Sequence, residues 1–208
     1  MPHPLSTDEA RARLREAVAT VESRSAAEVA VAIRERAAPH REAQWLGGAL
    51  VAYAALLFML FAPPVFRLSI IAIGTAVAFA LGVALVRAIP GLERALVSTA
   101  TREDAVAKAA RATFVQLGVD RTRERSGILV FVAVLEQRVF VVADRGVTGR
   151  MEANAWQALE AKLRDAHRAL AGADAASTLA KAIEAMADEL SIALPRRDDD
   201  TNELEDVA

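Results

Sequence analysis

The chain contains no cysteine among its 208 residues. Disulfides, thiolate nucleophiles and zinc–cysteine sites are therefore excluded. Basic charge is not in excess either: the formal net charge is -2, which gives no field for a phosphate backbone and excludes nucleic acid as an expected partner. A glycine-rich phosphate loop, a dinucleotide fingerprint and a G-x-S-x-G nucleophile motif are also absent. Motifs alone therefore make no case for catalysis.

A long apolar block occupies the first half of the chain. Within residues 45–86 the only charged residue is Arg67. Pro63 and Pro64 cannot continue a helix and divide the block into apolar runs at 46–61 and 68–86. A helix as long as the second run spans roughly 28 Å, close to the hydrocarbon thickness of a bilayer. The sequence therefore predicts a transmembrane helical hairpin over residues 44–87, with the lipid bilayer as a partner.

The distribution of arginines predicts the orientation of this hairpin. One arginine lies in its turn, whereas three precede the first span and three follow the second: Arg34, Arg36, Arg41, Arg87, Arg94 and Arg102. Positive residues accumulate on the cytoplasmic side of membrane proteins. We therefore expect a multi-pass protein of the inner (cytoplasmic) membrane with both termini in the cytoplasm.

The two polar arms carry the patterns of helices and strands. Ser6 with Glu9, and Thr101 with Asp104, have the spacing of capping boxes that open helices. Apolar residues recur at helical spacing after each box and again in two C-terminal segments, through Leu159 and Leu163 and through Leu179 and Ile183. Alternation at 28–34 predicts one strand, and the apolar runs at 127–135 and 139–143 predict a hairpin turning at 136–138.

These elements predict a single α/β domain that is interrupted by its own membrane anchor. One helix and one strand cannot bury a core alone, and an antiparallel helical pair returns the chain close to its point of entry. The expected organisation is a first part of the domain at 1–43, the hairpin at 44–87, a second part at 88–195, and an acidic tail at 196–208. The first strand is expected to join the sheet made by the second arm.

The order of these elements and the segment RTRERSGILVFVAVLEQRVFVVADRGV resemble the TPM domain, named for thylakoid-lumen, photosystem II repair and acetylcholine-receptor-modulating proteins. The most specific part is residues 125–147, which match a pattern of Arg-Thr/Ser-Gly, an apolar strand, a charged turn and a strand closing on Ala-Asp-Arg-Gly. The two spans and the tail motif at 202–206 are similar to a bacterial membrane subgroup. That motif more often reads Asn-Glu-Leu-Pro-Asp, and Glu205 departs from it.

The resemblance implies a mixed β-sheet between helices. It also implies two alternative functions, because plant relatives are associated with acid phosphatase activity and calcium, whereas other relatives are accessory subunits. The preferred hypothesis is a non-catalytic module that docks on a membrane or envelope protein and needs no cofactor. The alternative is a metal-assisted, phosphatase-like hydrolase that uses Ca²⁺ or Mg²⁺.

The candidate site residues surround the end of the last predicted strand. Asp144 and Arg145 follow that strand directly and are the catalytic candidates in the enzyme hypothesis. Glu28 opens a strand that is expected to lie nearby, so Glu28 and Asp144 are the candidate metal ligands. The candidate binding residues are Glu28, Arg125, Arg138, Asp144 and Arg145, since guanidinium groups suit oxyanions. In the preferred interpretation Asp144 caps the turn and Arg145 neutralises it. As an alternative to oxyanion binding, the three arginines pair with Glu124 and Glu136.

Overall fold

The computed structural model describes residues 4–196 together with Leu204 and Val207. The described residues form two compact units, one from within 1–37 and 103–208 and the other from 38–102. The remainder of the predicted acidic tail lies outside the described residues. The fold is mixed α/β, as the sequence predicts, and each unit is described separately below.

Three strands form the sheet of the first unit: β1 (Glu28–Arg34), β2 (Gly127–Ala133) and β3 (Arg138–Ala143). Their order is β1-β2-β3, with β1 parallel to β2 and β2 antiparallel to β3. Parallel neighbours need a long crossover connection. Here that connection contains α2 (Arg41–Phe61), α3 (Leu68–Ala88), α4 (Pro90–Leu96) and α5 (Thr99–Gln116).

Both faces of the sheet are buried, which explains why β2 is apolar at every position. One face packs against α1 (Asp8–Arg24), α7 (Ala153–Asp165), α8 (Ala175–Glu184) and α9 (Ala187–Ala193), through residues such as Leu14, Leu163 and Leu179. The other face packs against α5 through Val106, Ala110 and Phe114. The alternating residues of β1 contribute to both clusters, so the first arm is part of the core.

The ends of several elements differ from the predictions. The N-cap of α1 is Thr7, whose Oγ1 accepts a hydrogen bond from the Ala10 N–H at 3.2 Å. Ser6 belongs to a 3₁₀ turn (Pro4–Ser6), so the predicted capping box was wrong by one residue. In α5 the Oγ of Ser98 accepts from the Thr101 N–H at 3.1 Å, so Thr101 lies in the first turn of the helix and Ser98 precedes it.

The β-hairpin and the C-terminal helices are also divided differently. The strand β2 ends at Ala133, and the turn occupies 134–137, with Gln137 at a φ of 50°. The two predicted C-terminal helices are broken: a 3₁₀ segment (Ala166–Ala169) follows α7, and α8 and α9 are separate. The predicted apolar positions Leu159, Leu163, Leu179 and Ile183 are nevertheless buried in one core cluster.

The second unit is built around a close pair of apolar helices, α2 and α3, each 21 residues long. At 1.5 Å per residue each spans about 31 Å, long enough to cross a bilayer. Glycines allow the backbones to approach: a Cβ added at Gly82 would lie 2.8 Å from the Gly47 carbonyl oxygen and 2.8 Å from the Gly48 Cα. Small residues at helix contacts are typical of membrane helices. The outward faces present large apolar side chains, including Leu50, Phe58, Ile73 and Leu81.

Candidate functional site

Two of the predicted site residues lie on either side of the first residue of β2. Glu28 pairs with Gly127, and the Asp144 N–H donates to the Gly127 carbonyl at 2.9 Å. Glu28 and Asp144 are 6% and 7% exposed. Two interstrand spacings separate their backbones, roughly 10 Å, and cross-strand partners share a face of the sheet. The structure therefore brings both carboxylates to the same end and the same face of the sheet.

The Asp144 carboxylate is used to cap a helix. Asp144 is the N-cap of α6 (Arg145–Thr148), and its Oδ1 accepts from the Arg145 N–H at 2.7 Å. Its Oδ2 lies 3.7 Å from Nη1 of Arg125. A strand that ends at once in a short helix leaves N–H groups without helical partners, and an aspartate at the N-cap satisfies one of them. The predicted cap at Asp144 therefore matches the geometry.

Arg125, not Arg145, is the cation beside Asp144, so the predicted pairing was wrong. Arg125 has a φ of 56°, and its Nη1 also donates to the Asp120 carbonyl at 2.7 Å. The Arg145 side chain is exposed and forms no ion pair within the described part of the chain. Arg145 is the first residue of α6, and its side chain is exposed. Arg125, in a turn with positive φ, places its guanidinium beside the Asp144 carboxylate.

Gly146 brings the segment that follows β3 into contact with the loop that precedes β2. The Gly146 N–H donates to the Arg125 carbonyl at 2.9 Å. A Cβ at Gly146 would lie 2.3 Å from the Glu124 carbonyl oxygen and 2.4 Å from that of Arg125. Arg150 adds an ion pair to Glu124 at 2.8 Å. The loop before β2 and the helix after β3 thus touch backbone to backbone, and this contact requires glycine.

Arg138 is separated from this group. It begins β3, at the opposite end of the strand from Asp144, roughly 17–20 Å away for a strand of this length. Its Nε lies 3.5 Å from Oε1 of Glu103. Glu136, a candidate partner of the arginines, is fully buried, and both its oxygens accept from the Ala37 N–H at 3.1 Å. In the described structure Arg125 lies beside Asp144, and Arg150 is the arginine that pairs with Glu124.

Sequence reasoning missed Asp120. This residue lies in a 3₁₀ turn (Val119–Arg121), and its main-chain carbonyl accepts a hydrogen bond from Nη1 of Arg125. Its Oδ1 and the Oδ2 of Asp144 are buried, and neither has a hydrogen-bond partner in the described structure. The sequence gave no signal for Asp120, because its contact with Arg125 depends on how the loop before β2 folds back. The Arg125 guanidinium thus contacts one carboxylate, that of Asp144, and one main-chain carbonyl, that of Asp120.

Metal-ligand geometry is limited in this region. Among residues 4–196, Leu204 and Val207, no group of three or more histidine or carboxylate side chains is arranged to hold a metal ion. A shared Ca²⁺ would need oxygens at about 2.3–2.6 Å. The Asp144 oxygens are instead directed at the Arg145 N–H and at Arg125.

Comparisons with known proteins support the fold and give no function. No protein-family model matches the chain, and no curated protein sequence matches it. A solved structure is similar: the NMR structure of the BA42 protein from the psychrophilic bacterium Bizionia argentinensis, with a TM-score of 0.57 and 15% sequence identity. The similarity covers 97% of this chain and 94% of that one. At this identity the likeness concerns the fold alone.

The capping geometry predicts the effect of removing the Asp144 carboxylate. Asp144→Ala should lower the free energy of unfolding by about 1–2 kcal/mol, because it removes an N-cap and the partner of Arg125. Asp144→Asn keeps an acceptor for the cap and should cost less. Denaturant titration of the purified full chain in detergent would measure both. Arg145→Ala is the matched control and should stay within about 0.5 kcal/mol of the parent. A neutral Asp144→Ala would contradict the capping role.

Proposed function

We propose that this chain is a membrane-anchored TPM-type protein that acts as a non-catalytic interaction or accessory module for a membrane or envelope complex. The observation that carries the proposal is the structural role of the Ala-Asp-Arg-Gly segment at 143–146, called the ADRG segment. Asp144 caps α6, Arg125 lies beside it, and Gly146 is in backbone contact with the loop before β2. These contacts give the segment a structural role that requires no catalytic one.

The proposed location is the inner membrane, with two spans and both termini in the cytoplasm. Support comes from α2 and α3, which are long and apolar enough to cross a bilayer and present mostly exposed apolar side chains. An even number of spans returns the chain to the side from which it entered. The arginines on both outer flanks favour the cytoplasm for that side. The α/β unit then faces cytoplasmic partners while it is held at the membrane.

A second candidate function is metal-assisted hydrolysis of phosphate esters with Ca²⁺ or Mg²⁺. It is favoured by Oδ2 of Asp144, which is buried and has no hydrogen-bond partner within the described structure. A divalent cation would give this oxygen a partner, and Arg125 has the planar guanidinium that suits a phosphate. In this case the cation would bind at Asp144, with Glu28 on the same face of the sheet.

Affinity purification separates the two candidates. We expect the tagged full chain, isolated from chemically cross-linked membranes, to retain a membrane or envelope protein in stoichiometric amount. A tagged protein with an unrelated two-helix anchor should not retain it. The purified chain should also show no rise in melting temperature with Ca²⁺ or Mg²⁺ and no hydrolysis of p-nitrophenyl phosphate. A chain without a stoichiometric partner, whose Asp144-dependent hydrolysis needs a divalent cation, would replace the interaction role by the enzymatic one.

A further inference from the structure

The outer edge of β3 presents backbone groups that point away from the sheet. The hydrogen bond from the Asp144 N–H to the Gly127 carbonyl fixes the phase of the β2–β3 ladder. In an antiparallel pair, hydrogen-bonded and non-hydrogen-bonded positions alternate. Positions 142, 140 and 138 therefore bond to β2, whereas the N–H and C=O groups of Val139, Val141 and Ala143 are directed outward.

These outward groups have no hydrogen-bond partner within the described part of the chain. Val139 and Val141 are each only 4% exposed, so water reaches them poorly. Buried backbone groups are nearly always paired in folded proteins, and one left unpaired costs about 1–3 kcal/mol. The outer edge of β3 thus has backbone groups that a further strand would pair.

The other edge of the same sheet, formed by β1, is partly covered. Val207 forms a parallel bridge with Val31 of β1 and is 7% exposed, so a C-terminal residue of the chain already covers that edge. Leu204 packs against the core on the α5 side. The edge of β1 therefore has a bridging residue, while no strand in the described structure adds to β3.

A groove of about 470 Å³ lies along the first half of this free edge. Val139 and Phe140 line it from β3, and Val106 and Ala107 line it from α5. The charged residues around it are acidic on the α5 side, with Glu103 and Asp104, and mixed on the other side. There Arg138 comes from β3, and Arg164, Asp165 and His167 come from the end of α7 and its 3₁₀ extension.

The chemistry of the groove matches an extended peptide better than a compact ligand. The guanidinium of Arg164 lies 5.6 Å from the centroid of the Phe140 ring, which forms an apolar surface beside a positive charge. Arg164 pairs with Glu160 at 2.8 Å, yet its side chain remains 53% exposed. An apolar side chain on the peptide would pack on Phe140, and an acidic neighbour would reach Arg164. The peptide backbone would satisfy the outward groups of Val139.

We propose that the edge of β3 binds an extended peptide segment of a partner protein by strand addition, with an apolar residue on Phe140 and an acidic residue at Arg164. Main-chain hydrogen bonds provide affinity in such complexes, and side-chain pockets provide specificity. This inference deepens the proposed interaction role and rests on it. It assigns the binding surface to a strand edge and the partner's contact to a short linear segment.

The test uses the full chain in lipid nanodiscs and a phage-displayed library of random decapeptides as the probe. Enriched peptides should combine β-forming apolar residues with acidic ones, and a synthetic copy should bind in a fluorescence anisotropy titration. Val139→Pro should weaken binding about tenfold or more, equivalent to ~1.4 kcal/mol. Proline removes the outward N–H of Val139 and leaves the ladder to β2 intact.

A charge-reversal pair keeps the test independent of any folding defect at Val139. Arg164→Glu should weaken binding about tenfold, whereas Arg168→Glu should change it less than about twofold. Both arginines are exposed and make a local ion pair, Arg164 with Glu160 and Arg168 with Asp165, but only Arg164 lines the groove. Unlabelled peptide should displace the fluorescent peptide completely, with a curve that fits a single site.

Three results would overturn the proposal. One is a library without enriched sequences; a second is a selected peptide that binds Val139→Pro and Arg164→Glu as tightly as the parent. The third is self-association of the chain through β3, detected as disulfide-linked dimers of Phe140→Cys, because a second copy would then occupy the edge. If cross-linked membranes still yield a stoichiometric partner in any of these cases, the interaction role stands and only the binding surface is refuted.

Discussion

Gly146→Ala should destabilise the full chain by about 2–3 kcal/mol or more, although alanine is the better helix former. The new Cβ would lie 2.3 and 2.4 Å from two backbone carbonyl oxygens of the preceding loop, those of Glu124 and Arg125. Backbone oxygens cannot rotate away as the end of a flexible side chain can. The loop before β2 must therefore move, and the cap at Asp144 moves with it.

The overpacking cost at Gly146 is larger than the gain in helix propensity, so the net effect of Gly146→Ala is destabilising. Alanine gains at most about 1 kcal/mol over glycine from helix propensity, and α6 is only one turn long. Overpacking against fixed atoms costs about 1–3 kcal/mol and sometimes more. Because the contacts at Gly146 are with backbone at far below van der Waals distance, the upper part of that range applies. The clash should outweigh the propensity.

Gly172→Ala is the matched control, since the same methyl group is added in the same unit. Its Cβ would be 3.5 Å from the Ala169 carbonyl oxygen, an ordinary contact. Thermal unfolding of both variants in the same detergent should show a large loss for Gly146→Ala and almost none for Gly172→Ala. Equal melting temperatures would mean that the ADRG segment does not lock the two loops together.

The sheet was predictable because its signal is local. Alternation in EVAVAIR defined β1 at both ends, and the continuous apolar run of β2 predicted a strand covered on both faces. The same reasoning failed at caps and breaks. Whether Ser6 or Thr7 caps α1 depends on a 3₁₀ turn that the spacing does not reveal. The spacing of the apolar residues also does not reveal the breaks after Asp165 and Glu184.

The site was only partly predictable for the same physical reason. Asp144 stood out because it directly follows a buried strand. Its cation could not be assigned from sequence: Arg145 is adjacent, but Arg125 reaches Asp144 through a turn with positive φ and across the sheet. Asp120 gave no signal, and the groove at β3 combines residues of α5, β3 and α7 that are far apart in the chain.

The second large effect is expected from the membrane topology. If α2 and α3 cross the bilayer as a hairpin, the turn between them lies on the opposite side from both arms. Val65 in this turn is 99% exposed, and Ala19 and Ala158 are exposed on α1 and α7. The chain has no cysteine of its own. Each of these three positions can therefore carry the only thiol of the protein.

Labelling of these single-cysteine variants with a membrane-impermeant maleimide tests most directly that an α/β domain is anchored by its own inserted hairpin. In intact cells of a bacterial host with a permeabilised outer membrane, Val65→Cys should react almost completely, whereas Ala19→Cys and Ala158→Cys should react only after the inner membrane is opened. Labelling of Ala19→Cys or Ala158→Cys in intact cells, or protection of Val65→Cys, would contradict this account.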